Sequence, residues 1–124
     1  MEKIVIGIVI KDKKVLIVKR KEKEGDLLWQ FLGGKVENNE SKEKAVIREV
    51  FEETGIKVEA LNKLGEIVYP VTKKNISYFI CKYLKGDLYI SKSELADALW
   101  VNKKELGNYF TTPIYDKVKE YLNI

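Results

Sequence analysis

An α/β/α sandwich, with helices packed on both faces of a mixed β-sheet, is the architecture expected of these 124 residues. The length is that of one domain, so residues 1–124 read as a single unit, without linker, repeat or low-complexity stretch. The apolar runs are short and rich in β-branched residues, as strands are. They come in the order strands, helix, strands, helix, which places helical layers on a central sheet.

Residues 3–10 (KIVIGIVI) and 14–20 (KVLIVKR) read as strands joined by the polar turn Lys11-Asp12-Lys13-Lys14. The first run is too short to span a membrane and lacks the small-residue cleavage site of a secretory signal. Residues 27–32 (LLWQFL) make a short strand that runs into Gly33-Gly34. A long helix follows over 41–54. Ser41 suits its N-cap, Glu43 the positive end of its dipole, and Gly55 a left-handed stop. Further strands are expected at 57–61, 64–69 (LGEIVY), 75–84 (NISYFICKYL) and 98–102 (ALWVN). Pro70 and the Lys73-Lys74-Asn75 turn separate two of them. Residues 103–108 make a helical turn or two. Pro113 then opens a final helix to residue 122, with Ile114, Val118, Tyr121 and Leu122 on one face.

Composition narrows the chemistry. With 45% hydrophobic and 34% charged residues the chain is globular rather than disordered. It has no histidine and one cysteine. Ser-His-Asp triads, Cys-His dyads and zinc sites of the usual kind are therefore excluded. One cysteine forms no internal disulfide, so a cytoplasmic location is expected. What remains is chemistry on carboxylates, lysines and tyrosines, or a hard cation held by oxygens. The net charge of +4 suits an anionic partner, but it reads at least as well as a general bias towards Lys, Glu and Ile. Within that bias only Arg20 and Arg48 of the 23 basic residues are arginine, the choice where a forked planar donor is needed.

The informative segment runs from Gly34 to Ile56. On a helix at ~100° per residue, Val46, Ile47, Val50, Phe51 and Thr54 share a stripe expected to face the sheet. Glu49, Glu52 and Glu53 share the neighbouring stripe at spacings i, i+3 and i+4. Like charges so placed cost a few tenths of a kcal/mol per pair. That cost makes sense if a cation sits among them, and all-oxygen ligands select Mg²⁺ or Mn²⁺. The carboxylates alone fit a solvated face balanced by Lys42 and Lys44 at least as well. That reading leaves Gly33-Gly34 and the company of Arg48 without a purpose.

With these residues in view, the chain resembles the Nudix hydrolases. Their signature, G-x5-E-x7-R-E-U-x-E-E-x-G-U with U aliphatic, is filled in order by Gly34, Glu40, Arg48, Glu49, Val50, Glu52, Glu53, Gly55 and Ile56. A chance match is on the order of 10⁻⁹ per starting point at ordinary residue frequencies. The resemblance implies a Nudix-type α/β/α sandwich and a pyrophosphohydrolase that uses Mg²⁺ or Mn²⁺. It implies Glu49, Glu52 and Glu53 as metal ligands and the Gly34 carbonyl as a further metal contact. Glu53, Glu52 and Arg48 carry over as catalytic residues, with Arg48 and Glu40 the pair that orients the helix carboxylates.

The run Trp29 to Glu37 (WQFLGGKVE) is similar to the MutT-type branch, which converts (deoxy)nucleoside triphosphates to monophosphate and pyrophosphate. Leu32 stands where that branch usually has proline. The branch further implies Arg20 as a substrate contact at the end of the second strand, and Thr111 in the place of a base-reading polar side chain. It implies Glu94, six residues ahead of Trp100, as the general base or an additional metal contact, with Asp97 as fallback. Tyr69 and Tyr78 are candidates to stack on the base, whereas Phe31 suits the core. Two other branches compete. ADP-ribose hydrolases carry a proline near the position of Pro70, and dinucleoside polyphosphate hydrolases carry a tyrosine for which Tyr69 or Tyr78 could serve. A nucleotide-binding module without activity is the third alternative, although such modules typically lose helix carboxylates that are all present here. The expected partner is a nucleotide, with no membrane and no stable nucleic-acid partner, and the protein a monomer or homodimer.

Overall fold

A computed structural model describes residues 1–21 and 28–124. Leu27, where the third expected strand opens, lies outside the described residues. Strands β1 (Lys3–Lys11) and β2 (Lys14–Arg20) form a hairpin whose tight turn places Asp12 at φ 58°. They pair only at Ile10↔Val15 and Lys11↔Lys14. Beyond that they part, and the next segment fills both sides of the gap. β3 (Trp29–Gln30) pairs with β2 at Val18↔Gln30, and β4 (Leu32–Lys35) pairs with β1 from Ile4↔Lys35 to Gly7↔Leu32. Phe31 is the crossing point between them. The parting of β1 and β2 is what makes room for a site.

The helix α1 (Lys42–Thr54) is capped as expected. The Ser41 hydroxyl accepts from the Lys44 N–H at 3.1 Å, and Gly55 at φ 72° donates its N–H to Phe51 at 2.8 Å. After it come β5 (Lys57–Val68), β6 (Asn75–Lys85) and β7 (Leu95–Asn102), then a 3₁₀ turn (Lys103–Asn108) and α2 (Asp116–Leu122). β6 runs parallel to β1, β5 lies antiparallel outside β6, and β7 pairs antiparallel with the other side of β2. The result is a mixed seven-stranded sheet. Its α1 face buries Val5, Val9, Leu16, Val18 and Phe79 against Ala45, Val46 and Val50. Its other face buries Ile8, Ile17, Phe31, Ile80 and Val101 against Leu106, Val118 and Leu122. Each of these side chains larger than alanine contributes roughly 1.5–3 kcal/mol on burial. Among the described residues no helix is long and apolar enough to cross a membrane.

Four elements differ from expectation, the first being the strand expected at 27–32, whose described part is two strands, β3 and β4, parted at Phe31. The strands expected at 57–61 and 64–69 are one strand, β5. Leu61 and Leu64 are extra residues, each bulged out where the register against β6 shifts, and two bulges break the alternation in a way that imitates a turn. β7 begins at Leu95, three residues early, because the buried Leu95 continues the pairing to Arg20. The last helix begins at Asp116 with Tyr115 at its N-cap, and Pro113 stays in the preceding segment as part of a cavity wall. On α1 the buried stripe is turned towards its acidic side. Ala45 and Glu53 are buried, while Phe51 is 48% exposed, its ring 5.8 Å from the Lys57 ammonium.

Candidate active site

Arg48 organises the polar face of α1. Its Nε and Nη2 donate to the two oxygens of Glu40 at 2.7 and 3.0 Å, a two-point pairing that suits a guanidinium and not an ammonium. Nη1 donates to Glu49 at 2.9 Å and to Glu52 at 3.3 Å, and Nη2 also donates to the Lys35 carbonyl at 3.0 Å. The Glu37 N–H holds Glu40 from its other side at 3.1 Å. These hydrogen bonds, first those from Arg48, keep Glu40 below the usual carboxylate range. The approach loop and the helix are thereby locked together.

Glu49 turns inward and lies against Gly34, where any Cβ would collide with its carboxylate. Glu53, one turn further on, is only 1% exposed. Its Oε1 accepts from Arg20 Nη2 at 3.0 Å, and the same nitrogen donates to the Gly33 carbonyl at 2.7 Å. Its Oε2 is buried without a hydrogen-bond partner. Burial pushes the Glu53 carboxyl up to about 7, with Arg20 opposing the rise and Glu49 adding to it.

The shift has a consequence for the metal-free protein. Between pH 4.5 and about 7 the unfolded chain carries Glu53 ionised while the fold keeps it protonated. Folding then takes up a proton, so stability falls as pH rises through that window. No histidine titrates there to mask the slope. Urea melts in chelator should show the fall. Saturating divalent cation should remove it, because a cation favours the ionised carboxylate. A flat profile in chelator would rule out the buried, unpartnered state of Glu53.

Glu94 arrives on a loop fastened to the end of α1. The N–H groups of Tyr89 and Ser91 donate to the carbonyls of Thr54 and Glu53 at 2.8 and 3.0 Å, and the Glu94 carbonyl accepts from the Lys21 N–H at 2.8 Å. Carbonyls that a helix terminus leaves unpaired serve here as the anchor. Arg20, Gly33, Gly34, Glu49, Glu53 and Glu94 line one cavity of about 380 Å³, completed by Ile4, Ile6, Gln30 and Phe31. It opens where β1 and β2 part. A second recess of about 150 Å³ shares Ile6, Gln30 and Phe31 with it and is walled by Tyr78, Phe110, Thr112, Pro113, Ile114 and Tyr115. Phe31 and Phe110 meet edge to face at 4.8 Å, and Tyr78 lies 4.6 Å from Tyr115. Burial, with the Tyr69 and Tyr115 hydroxyls nearby, pushes the Tyr78 phenol up to about 12.

Of the residues singled out from the sequence, Gly34, Glu49, Glu53, Arg20 and Glu94 therefore meet in one cavity. Arg48 stands behind them. Glu52 does not join them, since its side chain is 58% exposed on the solvent side of Arg48. Tyr78 lines the recess, Tyr69 is exposed near it, and Thr111 is exposed outside the lining that its neighbour Thr112 enters. Asp97 accepts from the Ala98 N–H at 2.8 Å and lines neither space. The sequence reading missed Gln30, Phe110 and Tyr115. The one signal for Tyr115 is Gly65, where a Cβ would strike the Tyr115 hydroxyl.

The donor set fits a hard divalent cation. Glu53 offers a buried oxygen with no other partner, Glu49 lies beside it, and the backbone at Gly34 is bare of side chain. Among the described residues no three acidic side chains gather into a complete cage. Small ions that keep several waters need none.

A family model for the NUDIX domain matches residues 1–122. The 8-oxo-dGTP diphosphatase of Buchnera aphidicola subsp. Schizaphis graminum is 36% identical over 111 residues, which cover 89% of this chain and 83% of that protein. An NAD-capped RNA hydrolase, NudC of Mannheimia succiniciproducens, is 36% identical over 78 residues, 63% of this chain and 29% of the relative. Among solved structures, a NUDIX hydrolase from Nitrosomonas europaea superposes with a TM-score of 0.87 at 26% identity, covering 98% of this chain and 70% of the other.

Proposed function

The chain belongs to the NUDIX domain family and is a Nudix hydrolase, and from that membership we propose that it splits nucleoside triphosphates into monophosphate and pyrophosphate with Mg²⁺, which Mn²⁺ can replace. The observation that carries the reading is the junction of two spaces of opposite character. A charged cavity with Arg20, Glu49 and Glu53 meets an aromatic recess across Ile6, Gln30 and Phe31. That pairing suits a polyphosphate joined to a flat, apolar base. A relative named for a triphosphate substrate supports the same choice.

Glu53 and Glu49, with the Gly34 carbonyl, would hold the cation, and Glu52 would join from the outer rim. When bound, such a cation offsets the charge of the polyphosphate and makes water more acidic. The chain's own residues do the rest. Glu94, which lines the same cavity as Glu53 and Glu49, takes the proton from the attacking water. Arg20 presents its guanidinium to the phosphates. Arg48 and Glu40 keep the helix carboxylates in place. Tyr78 stacks on the base, with Tyr69 at the rim. Thr112, with Thr111 beside it, offers single hydroxyl contacts, so discrimination between bases is loose and the preference for an oxidised guanine weak.

Chromatography of products with Mg²⁺ and with Mn²⁺ tests the assignment. Nucleoside triphosphates, including an oxidised one, should yield monophosphate and pyrophosphate. If they persist while diadenosine tetraphosphate or ADP-ribose is consumed, the substrate class is wrong and the family assignment alone stands.

A further inference from the structure

Arg20 carries the positive charge that meets Glu53 in the cation-free protein. It contacts Glu53 Oε1 at 3.0 Å and is itself 26% exposed at the cavity wall. No other ion pair to Glu53 exists among the described residues. The register of β2 against β7 shifts between Lys19 and Arg20, with Ala96 of β7 the extra residue, so the regular pairing of β2 with β7 is interrupted beside Arg20.

We propose that Arg20 is an internal counter-ion for Glu53, which it gives up when a divalent cation binds, turning then to the polyphosphate. The inference rests on the reading of Glu53 as a cation ligand. A guanidinium and a divalent cation on one carboxylate repel each other strongly in a poorly solvated site. Cation binding and the Arg20–Glu53 contact therefore oppose one another. A polyphosphate attracts both positive groups, so it favours the exchanged arrangement. By reciprocity, substrate strengthens cation binding and cation strengthens substrate binding. The part-exposed position of Arg20 allows the exchange without moving the sheet, since only its side chain has to turn.

Mn²⁺ titration, following the paramagnetic resonance signal of the free ion, tests this in wild type, Arg20→Gln and Lys21→Gln proteins. Arg20→Gln should bind Mn²⁺ about tenfold more tightly than wild type, within the usual range of coupling between sites. Lys21→Gln removes the same charge one residue away without touching Glu53 and should change the affinity less than about twofold. Unchanged or weaker binding by Arg20→Gln, or an equal gain in Lys21→Gln, overturns the inference while leaving the cation site intact. Absence of Mn²⁺ binding by the wild type overturns both. Should Arg20→Gln fail to fold, the wild type supplies a second readout. The chain has two arginines, and on adding Mg²⁺ the guanidinium protons of Arg20 should exchange faster with solvent. Retained protection at Arg20 shows that it stays on Glu53 and overturns the exchange.

Discussion

Glu53→Gln protein should fold as the wild type does and hydrolyse nucleotide at least about 10³-fold more slowly at saturating Mg²⁺, the loss expected when several kcal/mol of cation-based stabilisation disappears. The substitution keeps the shape of the side chain, and the amide oxygen can still accept from Arg20, so the packing around α1 survives. What it removes is a buried carboxylate, the one with an unpartnered oxygen among the described residues. In chelator above about pH 7, where the wild type carries Glu53 ionised, the variant should melt slightly higher, because repulsion from Glu49 and the cost of a buried charge are both relieved. Single-turnover hydrolysis and a thermal melt on the same preparation check the two halves together. Near-normal turnover in folded Glu53→Gln protein would sink the assignment of Glu53 to the cation.

The second large effect is expected at Glu94. Glu94→Gln should lower kcat by roughly 10²–10⁴ with little change in cation affinity, the signature of a lost proton acceptor. The loop that carries Glu94 is held by backbone hydrogen bonds to α1 and to Lys21, so the substitution leaves its position unchanged. A loss of less than a few-fold would pass the role to Glu52 or Asp97. Of these, Asp97 already has its carboxylate engaged by the Ala98 N–H.

The helix and its chemistry were legible because each feature is local. Ser41 and Gly55 cap one helix, and spacings of three and four residues name Glu49, Glu52 and Glu53 as neighbours. Periodicity does not reveal which neighbour turns inward. Glu53 is drawn in by Arg20, thirty-three residues away in sequence, while Glu52 is left outside by Arg48. The same limit explains Phe51, which the stripe assigns to the core and the rotation of α1 leaves exposed. The recess was less legible, since Phe31, Tyr78, Phe110 and Tyr115 come from separate segments joined only by folding. The split of β5 failed for a local reason: bulged Leu61 and Leu64 interrupt the period-two pattern that defines a strand.

Those bulges matter beyond the reading of the sequence. β5 ends the path of the sheet, so one side of its backbone has no partner strand among the described residues. A long, flat strand in that place is a template on which another molecule can add a strand of its own, the first step towards aggregation. β5 is twelve residues long and carries exposed Leu61 and Val68, so its length and side chains favour such an encounter. Its register shifts work against it. They kink the strand, break the even spacing of its free N–H and C=O groups, and leave no long regular ladder to copy. The irregularity that hides β5 in the sequence also makes that edge a poorer template for an added strand.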